Sequence, residues 1–162
     1  MPMEFQKRLE RAIERGQQTR NEKGRLEAEK ALSAEELKSQ HTRYRLELSE
    51  HIEGCLKQLA DQFPGFEFQT VVDNGWGGKI SRDDLTRGPG RSVQSLYSRL
   101  EMVIRPYSDT RIVELVVKGA IRNKEVLKRS HYQFLAQVDF DSFRELIDLW
   151  VLEYAEKYAA TD

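Results

Sequence analysis

Between Leu37 and Phe63 the side chains that avoid water recur at helical spacing. Leu37, His41, Tyr44, Leu48, Ile52, Cys55, Leu59 and Phe63 follow one another at steps of three and four. Leu37, Leu48 and Leu59 are related by eleven-residue jumps, close to a whole number of turns, so the stripe runs straight along one face. Leu46 and Leu56 widen it beyond a two-stranded seam, which predicts a helix packed on a sheet as well as on another helix. Ser33-Ala34-Glu35-Glu36 has the form of a capping box and Pro64-Gly65 stops the pattern, giving a helix over 33–63.

The period then shortens to two, the spacing of strands. Phe66–Val72 reads as a first strand. In 96–105, Leu96, Leu100, Met102 and Ile104 oppose Arg99, Glu101 and Arg105. A β-branched run covers 111–121, and a last strand covers 130–138, where Tyr132, Phe134, Ala136 and Val138 alternate with His131, Gln133 and Gln137. Turn residues at 106–109 and 122–125 join the last three strands as an antiparallel meander. Asp73–Arg91, with its Asn-Gly, Gly-Gly and Gly-Pro-Gly, is expected to be a long loop.

Asp139 or Asp141 caps a C-terminal helix over 141–160. Phe143, Leu146, Ile147, Trp150, Tyr154 and Tyr158 form its main face, while Leu149, Val151, Leu152 and Ala155 spread apolar surface almost around the cylinder. Such a helix is expected to be covered on more than one side, by the sheet and by the long helix or a second subunit. At the other end, residues 3–32 are good helix formers, yet Phe5, Leu9 and Ile13 make only a short seam and Gly16 and Gly24 weaken the helix. Residues 1–32 are therefore expected to be a helical extension, a coiled coil or a frayed segment, ahead of one α+β domain over 33–162. The fold expected is α+β: a long N-terminal helical region, a four-stranded antiparallel sheet and a C-terminal helix packed on it.

Composition narrows the function classes. Over 162 residues, 26 Lys and Arg meet 27 Asp and Glu, so no global field draws the chain to nucleic acid or membrane. Cys55 is the only cysteine, which excludes an intramolecular disulfide. No apolar stretch approaches the ~20 residues that cross a bilayer, and Met1–Arg15 lacks an apolar signal core. A cytoplasmic protein without a membrane partner is expected. Charge is uneven: residues 92–137 hold eight Lys or Arg against four acids, and residues 138–162 hold two against seven. A basic sheet and an acidic helix would neutralise each other where they meet.

The candidate chemistry is sparse. Asp73-Asn74-Gly75-Trp76-Gly77-Gly78-Lys79 has the glycines of a phosphate cradle, but Asp73 stands where a P-loop needs glycine and Ile80 where it needs Ser or Thr. Trp76 among glycines suits an aromatic anchor for a partner, or a ring folded back on the sheet edge. Lys79, Arg82, Arg87, Arg91, Arg99 and Arg105 suggest a phosphate-contacting strip, weakened by Asp73, Asp83, Asp84 and Glu101. Glu47 and His51 lie four apart on one helical face, but no further ligand has a recognisable spacing, so no metal or cofactor is expected. Cys55 on the apolar stripe argues for packing, and His131 is left as the one candidate general base; no catalytic set emerges.

The function expected is a non-catalytic scaffold or adaptor that forms a homodimer or higher homo-oligomer and binds another protein. Phe5, Leu9, Ile13, Leu37, Tyr44, Leu149 and Leu152 are the candidate oligomer interface. Trp76, Lys79, Arg82, Arg87 and Arg91, in loop 73–91, or the polar sheet face are the candidate partner surface. Nucleic-acid binding by the basic residues is the second expectation, and a small-molecule binder or enzyme the third.

Overall fold

The structure, a computed structural model, describes residues 2–20, 22, 26, 33–84, 86–87, 93–94 and 96–161. Helix α1 runs Pro2–Arg20 and its side chains from Phe5 to Gln18 are exposed. Whether the helical reading of 3–32 continues unbroken to Ser33 lies outside the described residues. Helix α2 runs Ala34–Gln62, and the Ser33 hydroxyl accepts the Glu36 N–H at 3.1 Å, satisfying one of the donors that a helix start leaves unpaired. Leu37, Leu48, Ile52, Leu56 and Leu59 are buried along it, each contributing about 1.5–3 kcal/mol relative to exposure. The chain leaves the helix through Gly65, whose φ of 104° suits glycine.

Among the described residues seven strands follow: β1 Glu67–Val71, β2 Trp76–Asp83, β3 Thr86–Arg87, β4 Val93–Gln94, β5 Tyr97–Ile104, β6 Ile112–Ile121 and β7 Lys124–Phe134. β1-β2-β5-β6-β7 form one five-stranded sheet, antiparallel throughout, and β3 pairs β4 as a short ribbon between β2 and β5. The antiparallel sheet expected with four strands has five, because the tract read as a loop over 73–91 contains β2, which pairs between β1 and β5. Gly77 and Gly78 are strand residues there. A Cβ on Gly77 would lie 2.0 Å from the Met102 carbonyl oxygen, and one on Gly78 would meet the Phe68 ring at 2.8 Å and Leu56 of α2 at 3.2 Å. They permit close approach of neighbouring elements.

The last strand begins at Lys124 rather than 130, and Leu135–Gln137 is a 3-10 turn. Arg122 and Asn123, with φ of 49° and 67°, make the two-residue hairpin turn that joins β6 to β7. The Asn123 Oδ1 accepts the Tyr97 N–H at 2.9 Å and its own N–H reaches the Tyr97 carbonyl at 2.8 Å, fastening that turn to the start of β5.

Helix α3 runs Phe140–Ala159, with the Asp139 carboxylate accepting the Ser142 N–H. It lies beside α2 on the same face of the sheet. The core is Leu37 to Leu59 of α2, Ile80, Leu100, Met102 and Ile104 of the central strands, Val113, Leu115 and Val117 of β6, and Phe143, Ile147, Trp150, Val151 and Tyr154 of α3. Leu149 and Leu152 are 59% and 64% exposed, so α3 is covered on the sheet and α2 sides only. The basic sheet and acidic helix do meet: Arg129 Nη2 of β7 sits 3.0 Å from Glu153 of α3.

Candidate functional site

Strand alternation decides which side chains share a surface. From the pairing registers, Phe68, Ile80, Leu100, Met102 and Leu115 point to the helices, while Gln69, Lys79, Glu101, Val103, Val116 and Lys118 point the other way. Helices α2 and α3 pack on the first of these faces. A row of directly opposed residues crosses it: Lys79, Glu101, Lys118 and Lys128. Opposite charges at the first two steps favour the row, and Lys118 against Lys128 leaves positive charge at its β7 end. A depression of about 460 Å³ lies over Lys79, Glu101, Val103, Arg105 and Lys118, and a second of about 330 Å³ shares Lys118 with Arg99 and Lys128. Tyr97 and Tyr132, 53% and 55% exposed, stand on the same face.

The residues proposed for the partner surface are not one cluster. Lys79 belongs to the open face. Trp76 opens β2 rather than standing in a loop, half-buried, with the Arg45 guanidinium of α2 4.0 Å from its ring centroid. Arg82 turns to the helix side, where its Nε lies 3.0 Å from Asp84, which also accepts the hydroxyls of Ser98 and Tyr158. That network ties β2, β5 and α3 together. Arg87 lies in β3, and Arg91 is outside the described residues. His131, read as facing the polar side, faces α3: its ring packs edge-on against Phe143 and Gln133 Nε2 is 3.1 Å from its Nε2.

The proposed oligomer residues also divide. Phe5, Leu9 and Ile13 are exposed on α1, and Leu149 and Leu152 on α3. Leu37 is fully buried in the chain's own core and is removed from the surface set. Tyr44 is half-buried against Phe140, ring centroids 6.2 Å apart.

One cluster was invisible to sequence spacing. On the outer side of the helical layer, Asp148 of α3 reaches across to His51 and Cys55 of α2. His51 Nε2 is 2.7 Å from Asp148 Oδ1, Cys55 Sγ is 3.4 Å from the same oxygen, and the sulfur is 3.7 Å from His51 Nε2. His51 and Cys55 are one helical turn apart, and their positions are fixed because Leu48, Ile52 and Leu56 anchor the other side of α2. A groove of about 380 Å³ runs alongside, lined by Cys55, Gln58, Leu152 and Ala155. Burial, and then the Asp148 carboxylate, push the Cys55 thiol up to about 11. A nucleophilic thiol needs the opposite shift. A catalytic relay also needs the acid on one ring nitrogen and the thiol on the other, whereas here both approach Nε2.

No family model, curated protein or solved structure matches this chain. Among the described residues, no helix is long and apolar enough to cross a membrane.

Proposed function

We propose that this is a non-catalytic scaffold or adaptor protein, which binds another protein through the open face of its sheet and self-associates through exposed apolar residues of its helices. The observation that carries the reading is the division of the molecule into two faces. Helices α2 and α3 cover one side of the sheet, and the other side carries the opposed Lys79-Glu101-Lys118 row beside Val103, Val116 and Tyr132. A face of mixed charge with intervening apolar and aromatic groups suits a protein surface of complementary charge pattern. On the helical side Leu149 and Leu152 stand exposed, as do Phe5, Leu9 and Ile13 on α1, in the manner of surfaces that meet a second copy.

Nucleic-acid binding is the second reading, favoured by Lys79, Arg99, Arg105, Lys118 and Lys128 on the open face. Glu67, Asp83, Glu101, Glu114 and Glu125 share that face and offset those cations. Size-exclusion chromatography with light scattering, recorded at protein and nucleic-acid wavelengths, separates the readings. The proposal expects a dimer or larger species free of nucleic acid, converted to monomer by Leu149→Arg with Leu152→Arg. A wild-type monomer removes the self-association, and nucleic acid that co-elutes and leaves at high salt replaces the protein partner by a polyanion.

A further inference from the structure

We propose that His51, Cys55 and Asp148 form a zinc(II) site, with a fourth position open to the groove between α2 and α3. Three donor atoms of three kinds, an imidazole nitrogen, a sulfur and a carboxylate oxygen, lie within 4.8 Å of one another. Zinc bonds of about 2.0–2.3 Å in tetrahedral arrangement set donor–donor separations of about 3.3–3.7 Å. The sulfur–oxygen and sulfur–nitrogen separations are 3.4 and 3.7 Å, already at those values. The nitrogen–oxygen separation is 2.7 Å and must lengthen by about 0.6 Å to admit the ion. Asp148 can supply that movement, since its side chain is 51% exposed whereas His51 is 22% exposed on a helix anchored by the core.

The convergence that argues against a relay argues for an ion. All three donors point at one small volume, and the groove past Gln58 and Leu152 gives access and room for a water. Thiolate with imidazole selects zinc over magnesium or calcium, which prefer oxygen donors throughout. One thiolate and one carboxylate neutralise the two charges of the ion, so a half-buried groove can hold the complex at modest desolvation cost. On binding, the thiol proton passes to solvent, one for each ion bound.

The test is a titration of tag-free, reduced, chelator-stripped protein with cobalt(II), followed by zinc(II). The site predicts one cobalt per chain with a thiolate-to-metal charge-transfer band and the intense visible bands of a tetrahedral ion, both erased by equimolar zinc. Zinc should also raise the thermal unfolding midpoint of the wild type and leave that of Cys55→Ser unmoved. Asp148→Asn and His51→Gln should each weaken binding by about tenfold or more. Asp148→Asn decides the case if the core-side variants fold poorly, because Asp148 is on the surface, and circular dichroism reports folding for each. Absence of the charge-transfer band in the wild type overturns the site. So does binding that survives both Asp148→Asn and His51→Gln unchanged.

Discussion

Tyr154 shows how single polar atoms are reconciled with this core. Its ring is fully buried, and its hydroxyl donates to the Ala120 carbonyl at 2.9 Å, across from α3 to β6. Burial, then the neighbouring Tyr158, raise its phenol above the ordinary tyrosine range, so it stays a donor. Tyr154→Phe should cost about 1 kcal/mol, read as a lower denaturant midpoint at unchanged slope. His41 is a second case. Only 3% exposed, it donates from Nε2 to the Arg105 carbonyl at 3.1 Å and meets the Tyr107 ring edge-on. Burial first, and Arg45 with it, lower its pKa from 6.5, while the bond to Arg105 opposes them. The folded state therefore resists a proton that the unfolded chain accepts. Stability from this group is present above pH 6.5 and is lost as pH falls through and below that value. His41→Gln, which keeps an N–H donor, should flatten that part of the stability profile; an unchanged profile would show that other groups govern it.

At the scale of elements, β2 is the piece on which the sheet turns. On its inward side Gly78 leaves room for Leu56 of α2, which a Cβ there would meet at 3.2 Å, so that α2 lies close over the strand. Gly77→Ala would place a methyl against the Met102 backbone, which has no room to retreat, and should destabilise by about 1–3 kcal/mol. Gly16→Ala on exposed α1, where nothing lies within 4 Å, should instead be neutral or raise helix content. Thermal melts of the two variants give the comparison.

The same strand explains where sequence reading stopped. The stripe from Leu37 to Leu59 was legible because a long helix repeats its period many times, and five of its positions are buried leucines or isoleucine. β5 and β6 were legible through clean alternation. In β2, the Asn-Gly and Gly-Gly pairs carry turn chemistry, and they conceal a strand whose glycines answer to packing. The misplacement had a consequence for the site: as a loop, Lys79 and Arg82 seemed to share a surface, but in a strand three residues of separation send them to opposite faces. His51 and Cys55 were legible as neighbours on α2. Asp148 was not, being 97 residues from His51 and joined to it only by the packing of α3 on α2.

For the whole molecule, the account assigns separate work to its two sides. Leu149 and Leu152 stand exposed on the helical side, proposed to meet a second copy, and Val116 and Lys118 lie on the open sheet face, proposed to meet a different protein. The proposed zinc site lies beside the groove that Leu152 lines, so it neighbours the proposed self-association surface. The most direct test places a photo-crosslinking amino acid at position 116 in one variant and at position 152 in another, with crosslinking in cells and mass spectrometry of the products. The account predicts that position 152 captures this same chain and position 116 captures a distinct protein at defined residues. Capture of nucleic acid at 116, or of no macromolecule at either position, would contradict it.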